Sequence, residues 1–469
     1  MDDALRENKM GTMPVGRLLI SMSLPMIVSM LVQALYNVVD SYFVGKISLE
    51  ALTAVGQAFS AQNLMIGIAT GTGVGVNALL SKSLGEKNPD RANRIAHNGV
   101  LLAGVGYLIM LLFGLFGCEL YFDGMLRAAS FDAGLDLAAV KASGIEYLRI
   151  CTLLSVFVFF EIMFERLMQS TGRTIYSMFT QGAGALVNIA LDPFFILGEL
   201  PFGLHGLGLG AAGAAWATVL GQAVGCILGI LLNHKFNPEI RLHLRGFRPD
   251  AKLIGSIYAI GVPSIIMVAV GSVMYYAMNI ILMGVSAYGA SIFGVYFKLQ
   301  SFVFMPLFGM NNGVIPIIAY NYGAGNRRRM LKTVKLALLV ALGFMGLGLV
   351  LMQTIPGALL SLFIKEKAVV ALGCTALRII SLSFLFAGIC IVFSSVFQAL
   401  GKGSYSMFVS IARQLLVLVP VAYLLALAGD LNLIWWSYPI AEIASVTVSF
   451  CLFARLYKKI ISRIPLGAE

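Results

Sequence analysis

The chain has 469 residues, of which 59% are hydrophobic and 12% charged, and a formal net charge of +11. Soluble domains carry about 25% charged residues. At a mean hydropathy of +0.88 there is too little polar surface to cover a water-soluble globule, so the composition points to an integral membrane protein. Lys and Arg fall in short bursts between apolar runs, which reads as loop charge and not as a nucleic-acid surface. No nucleic-acid partner is expected. The cysteines, Cys118, Cys151, Cys226, Cys374, Cys390 and Cys451, lie in or beside apolar stretches without a CxxC pair, as buried free thiols do.

The N-terminal stretch MDDALRENKMGTMPVGR is polar and carries acids, and the apolar run from Leu18 to Val44 is too long for a cleavable signal. It is read as the first membrane helix. A membrane helix needs about 20 mostly apolar residues. Twelve such runs follow one another, at 18–44, 51–80, 95–117, 143–168, 175–199, 205–233, 252–283, 288–320, 333–355, 371–399, 406–428 and 433–456. They are continuous and not alternating, which argues against a β-barrel. With the N-terminus inside, the basic segments 82–94, 235–252, 327–335 and 455–463 all fall on one side. Few basic residues, such as Lys46, Arg127, Lys141, Lys365 and Lys367, fall on the other. The positive-inside rule then places both termini in the cytoplasm of a multi-pass cell (inner) membrane protein. The connection from Cys118 to Lys141, with Asp123, Asp132 and Asp136 among apolar residues, is read as an interfacial helix. Trp435 and Trp436 are read as anchors at the outer interface.

The two halves resemble each other. LPMIVSMLVQALYNVVDSYFVG faces VPSIIMVAVGSVMYYAMNIILMG, GVNALLSKSLGEKN from Gly75 faces GVIPIIAYNYGAGN from Gly313, and QSTGRTIYSMF from Gln169 faces QALGKGSYSMF from Gln398. Each half holds six spans, an even number, so both enter the membrane with the same orientation and the repeat is parallel. The predicted fold is an all-α polytopic membrane protein of twelve transmembrane helices in two parallel-repeat six-helix lobes. Residues 1–233 form the N-terminal lobe, 234–251 the cytoplasmic linker and 252–469 the C-terminal lobe. Two lobes around a cleft suit alternating access.

A charge at the centre of a membrane helix costs roughly 2.5–3.5 kcal/mol on insertion scales. Asp40, Glu161, Glu165, Asp192, Lys298, Arg413 and Glu442 are therefore functional candidates. Gln33, Tyr36, Asn37 and Asp40 share one face of span one by their spacing. Asn188 and Asp192 share one face of span five, and Pro193 loosens that helix. Thr218 reaches a comparable depth within the small-residue run GAAGAAWAT of span six. Two carboxylates, an amide and a hydroxyl at one level form an oxygen-rich site suited to Na⁺ or to a proton. Glu161 is placed toward the cytoplasm, where it can meet a cationic substrate, and Glu165 is expected to pair with Arg166, Arg173 or interfacial water. Lys298 and Glu442 lie at matching depths, which suggests a structural ion pair, with the alternative that Lys298 or Glu442 lines the substrate cavity. Arg413 is expected to snorkel toward the cytoplasm. Tyr36, Asn37, Phe157, Met163, Met274 and Tyr275 are candidates to line an adaptable cavity. No nucleotide loop, His/Cys metal cluster or catalytic triad stands out, so neither an enzyme nor a bound cofactor beyond a coupling ion is expected.

These residues resemble the multidrug and toxic compound extrusion (MATE) transporters. The marks are Pro25 followed by LYNVVDSYFVG in span one, VNIALDP in span five, GAAGAAWAT in span six and YNYGAGNRRR after span eight. The resemblance implies export of cationic, amphipathic small molecules against inward Na⁺ or H⁺ flow. It also implies a coupling set in the N-terminal lobe at Asp40, Asn188, Asp192 and Thr218. Another branch of the family uses acids in spans seven and ten, and VPSIIMVAVGSVMYY and FLFAGICIVFSSVF carry none there. The sequence is thus closer to the DinF-like or MepA-like branches than to the NorM-like one. Its expected partners are small cations and the lipid bilayer, and it is expected to act as a monomer. The competing reading is a lipid-linked oligosaccharide flippase of the same superfamily, whose cleft should be cationic to meet pyrophosphate. A membrane scaffold or enzyme subunit needs neither the duplicated lobes nor the acids.

Overall fold

The computed structural model describes residues 8–128, 136–199, 205–242, 247–286 and 288–466. Asp132, the first seven residues and positions 243–246 of the linker lie outside the described residues. The chain is a multi-pass bundle of twelve long helices. The first six are α1 (Val15–Gly45), α2 (Leu49–Gly85), α3 (Pro89–Phe116), α4 (Leu137–Leu153 and Val156–Ser170), α5 (Thr174–Ile196) and α6 (Ala211–Phe236). The second six are α7 (Ala251–Val285), α8 (Gly289–Gly323), α9 (Arg327–Thr354), α10 (Lys367–Ser381 and Phe384–Ala399), α11 (Gly403–Ala426) and α12 (Ser437–Lys459). Among the described residues, nine helices are apolar and long enough to cross a membrane unaided, and the bent pairs forming α4 and α10 add two. The twelfth is α5, whose 23 residues include Gln181, Asn188 and Asp192. Asn188 and Asp192 are buried against protein. The helix Cys118–Ala128 lies between α3 and α4, with Glu119 bridged to Arg149 at 3.2 Å and Asp123 to Lys141 at 2.5 Å.

The bends in α4 and α10 measure 48° and 46° and share one cause. Neither contains proline. In α4, Thr152 Oγ1 donates to the Leu148 carbonyl at 2.7 Å and Ser155 Oγ to the Thr152 carbonyl at 2.7 Å. In α10, Ser381 Oγ donates to the Arg378 carbonyl at 3.0 Å and Ser383 Oγ to the Ile380 carbonyl at 2.6 Å. Hydroxyls that bond back to carbonyls compete with the helix ladder and bend it. The repeat is visible in the caps as well. Asn88 and Asn326 open α3 and α9, and each side chain accepts the N–H three residues on, at 3.0 Å.

Helices α1 to α6 pack among themselves, α7 to α12 do the same, and the two groups meet through α1 on α8, α2 on α7, and α2 on α8. The last pairing is reciprocal. A Cβ on Gly85 would run into the Tyr320 carbonyl, and one on Gly323 into the Lys82 carbonyl. The same swap relates Gly75, packed on the Ile257 carbonyl, to Gly313, packed on Met22 and Ser23. These close approaches occupy the halves of the helices nearest the face that carries both termini. Toward the far ends, Leu35, Val38 and Tyr42 of α1 and Val273, Tyr276 and Ile280 of α7 are exposed. The terminal side of the seam between the groups is therefore closed.

A short strap completes that closure. The helix Lys9–Thr12 crosses the seam and is held from both sides. Asn8 Nδ2 donates to the Thr171 carbonyl of the first group at 2.9 Å and to Glu239 Oε1 of the linker that follows it at 3.0 Å. In the second, Arg329 Nη2 donates to the carbonyls of Met10 at 3.2 Å and Met13 at 2.6 Å, and Asn321 Nδ2 to that of Met10 at 3.2 Å. Met10 itself is fully buried. Hydrogen bonds from a charged donor are worth about 1.5–3 kcal/mol, so Arg329→Ala should free the strap. Residues 8–13 are expected to take up deuterium faster in that variant, and an unchanged rate would show that Arg329 does not hold them.

Candidate functional site

The site is built where α1, α4, α5 and α6 converge. Helices α5 and α6 touch through glycines. A Cβ on Gly221 would lie 2.6 Å from the Gly184 carbonyl, and one on Gly184 2.9 Å from that of Gly221. Such contact brings the polar residues of both helices to one level. Asn188 Nδ2 sits between Asp192 Oδ1 and Thr218 Oγ1, at 3.4 Å from each. Asp192 is fully buried, and Asp40 of α1 is close enough for the two charges to act on each other. The structure thus brings together Asp40, Asn188, Asp192 and Thr218. Asp40 Oδ1, Asn188 Oδ1 and Asp192 Oδ2 are buried and have no hydrogen-bond partner. Buried polar atoms are nearly always satisfied, so three orphaned oxygens in one cluster stand out, and their chemistry is that of acceptors a cation or a proton can satisfy. Pro193 lacks the N–H that would bond the Ile189 carbonyl, which leaves the far end of α5 able to adjust.

Below this cluster, toward the terminal face, lies a cavity of about 90 Å³, room for several water molecules. Its walls are Gln33 and Tyr36 of α1, Glu161 and Glu165 of α4, Gln181 and Asn188 of α5, and Thr218 and Gln222 of α6. Tyr36 is within electrostatic range of Asp40, Glu161 and Asp192 and so joins the two levels. Glu161 is 8% exposed, and no described side chain hydrogen-bonds to it. It lies across Gly225, where a Cβ would strike its carboxylate. Glu165 is satisfied instead: Thr180 Oγ1 donates to Oε1 at 3.1 Å and Gln181 Nε2 to Oε2 at 2.7 Å. The expected partners Arg166 and Arg173 are turned elsewhere. Arg166 Nη1 donates to Gln169 at 2.9 Å and across the seam to Asn312 of α8 at 2.8 Å, while Arg173 meets Glu239 at 3.4 Å.

Two long runs, at residues 25–194 and 263–424, match the MatE family model, one in each half of the chain, and together cover more than half of it. The chain belongs to the MatE family. Among curated proteins it is similar to the multidrug export protein MepA of Staphylococcus haemolyticus, at 25% identity over 421 residues, covering 90% of this chain and 89% of that one. MepA of Staphylococcus aureus is 24% identical over 453 residues, covering 94% and 95%. Among solved structures it matches a multidrug resistance MATE family transporter of the MOP superfamily in an outward-facing conformation. The TM-score there is 0.89 at 22% identity, covering 98% and 99%. A MOP superfamily transporter from Pyrococcus furiosus, described as having a binding pocket of reversed polarity, matches with a TM-score of 0.85 at 22% identity, covering 98% and 99%. At these identities the structures share the two-lobe fold with this chain.

Several expected placements are corrected by the structure of this MatE protein. Glu442 is not paired with Lys298: Arg413 Nη1 donates to its Oε1 at 2.8 Å. Arg413 accordingly does not snorkel toward the terminal face. Lys298 is exposed, with Nζ 5.7 Å from the Phe363 ring, and does not line the cavity. Met163 is buried against Gly99, its sulfur 3.1 Å from where a Cβ would stand, because two residues along a helix turn it away from Glu161. Tyr275 stacks on Phe293 at 5.1 Å in the second half, with Met274 in the same core, and Asn37 is absent from the cavity wall. Trp435 is fully buried, whereas Trp436 is 44% exposed. Gln181 and Gln222 were missed as cavity residues. The signal for the first was present, since Gln181 precedes Asn188 by seven residues and so shares its face.

Proposed function

We propose that this MatE protein is a secondary active multidrug exporter that exchanges cationic, amphipathic small molecules for H⁺ or Na⁺ by alternating access. The three orphaned oxygens of Asp40, Asn188 and Asp192 carry this reading, and the MepA relatives support multidrug export. The lobes are residues 1–233 and 252–469, joined by 234–251. The terminal face is cytoplasmic, in line with its basic loops, so the closed seam is the inner gate and the chain faces outward.

In this state Asp40, Asn188, Asp192 and Thr218 take a cation or proton from the outside. Two carboxylates without a basic partner are expensive in hydrocarbon, and the incoming charge offsets that penalty. Loading neutralises α1 against α5 and α6 and changes the field at Tyr36 and Glu161. A cationic compound held at Glu161 then binds less well. A ligand shifts the two states only by its differential affinity for them, so ion and drug must compete for the same negative charge. Return to the inward-facing state requires the strap at Met10, the Arg166–Asn312 bond and the Gly85–Tyr320 contact to part. A cavity bearing Glu161 and Glu165 is a poor host for pyrophosphate, which disfavours the flippase reading. The test is Asp40→Asn in everted vesicles: ion-dependent drug accumulation should fall to the level of empty vesicles, and wild-type accumulation would overturn the assignment.

A further inference from the structure

The second half carries its own copies of α4, α5 and α6, and at the matching place it holds an ion pair. The register that matches Gln169 with Gln398, Tyr176 with Tyr405 and Phe179 with Phe408 sets Cys390 where α4 has Glu161. It sets Arg413 where α5 has Gly184. In the first half, Gly184 leaves open the space beside the Glu161 carboxylate: a Cβ there would stand 3.5 Å from Oε1. In the second half that space is filled from the helix backbone outward. Arg413 leaves α11 at a wide π turn, Ala412–Leu418, and its guanidinium reaches Glu442 of α12 at 2.8 Å. Wide turns of this kind concentrate at functional sites.

Within the apolar core of the second half, buried polar atoms gather around the pair. The Glu442 side chain is 10% exposed, and its Oε2 has no hydrogen-bond partner. One turn earlier on the same face, the Tyr438 hydroxyl is also buried and unpartnered. One turn later, Ser445 donates to Cys390 at 3.2 Å, so the thiol that replaces Glu161 is occupied by a hydroxyl. Glu442 is the acid of this cluster and Arg413 its base.

We infer that the Arg413–Glu442 pair is the second lobe's counterpart of the Glu161 cavity, filled permanently by a cation tethered to α11. The ligand class of that site is a small monovalent cation of guanidinium type, which the native chain supplies from its own side chain. The second lobe therefore offers no open counterpart of that cavity, and binding of a cationic compound is left to the first. That last consequence rests on the function proposed above; the occupancy of the second site by a cation does not.

Removing the tether should leave an empty, cation-seeking carboxylate. Purified Arg413→Ala is expected to melt lower than the native chain and to regain stability in millimolar guanidinium or methylguanidinium. An equal concentration of NaCl, or the bulkier tetramethylammonium, should not restore it. The native chain and the double variant Arg413→Ala, Glu442→Gln should show no such gain. A purely structural salt bridge predicts loss without selective rescue. Equal shifts for the native chain, the single variant and the double variant would overturn the inference. So would an Arg413→Ala protein that cannot be recovered even when guanidinium is present throughout purification. The assay uses no gradient, so it can fail while coupling at Asp40 holds, or succeed while that coupling fails.

Discussion

Asp192→Asn is expected to fold, reach the membrane in normal amounts, and lose gradient-driven export. Asp192 is fully buried, its Oδ2 has no partner, and its Oδ1 meets only the Asn188 amide, at 3.4 Å. Replacing an uncompensated buried carboxylate by a neutral group of the same shape removes a desolvation penalty of several kcal/mol per ion. The variant should therefore melt no lower than the native chain. Function should move the other way. With one of two carboxylates gone, a bound cation or proton has lost half of the charge that attracts it, and drug release is no longer linked to ion uptake. Cells carrying the variant should be as drug-sensitive as cells without the protein. Thr218→Val, which removes a neutral oxygen, should weaken coupling without abolishing it. A stable Asp192→Asn protein that exports at the native rate would remove Asp192 from the site.

The second large effect is expected at the seam. Gly85→Val places branched carbon against the Tyr320 carbonyl, and backbone on α8 cannot yield as a side-chain tip can. Overpacking of this kind costs about 1–3 kcal/mol. Here the penalty falls on one conformation, since the contact exists only while the terminal side is shut. At about 1.4 kcal/mol per factor of ten, the ratio of outward- to inward-facing protein should drop by about fivefold to about a hundredfold. The expected result is a protein of normal abundance, inactive in export, whose seam cysteines, introduced at positions such as Asn312, react with impermeant thiol reagents from the cytoplasmic side. Gly323→Val should behave alike, because Gly323 meets the Lys82 carbonyl across the same pseudo-two-fold axis. The double variant should be little worse than either single one, since both act on one gate. Independent, additive losses would argue against a shared closure.

The sequence made the four-residue cluster legible because its members are polar in places where polarity is expensive, and because spacings of three and four give a shared helix face. The same argument failed for Lys298 and Glu442. Counting residues from a helix end gives depth, but pairing also needs the rotation of each helix about its axis. The π turn at Ala412–Leu418 turns Arg413 onto Glu442 in a way that periodicity does not encode. Met163 and Trp435 were misplaced for a related reason, since an apolar or aromatic side chain gives no sign of whether lipid, a cavity or another helix lies opposite. The bends of α4 and α10 were hidden because hydroxyls, not prolines, cause them. The duplication was legible throughout, and it explains the paired bends, the paired Asn caps and the reciprocal glycines.

The measurement that bears most directly on ion-coupled export is drug efflux from proteoliposomes with a Na⁺ gradient and a pH gradient imposed separately, the other being collapsed each time. The proposed exchange predicts that one of the two drives efflux on its own, that dissipating it stops transport, and that the drug in turn drives counterflow of that ion. Efflux at the same rate with neither gradient, or under both alike after Asp40 and Asp192 are replaced by Asn, would contradict it.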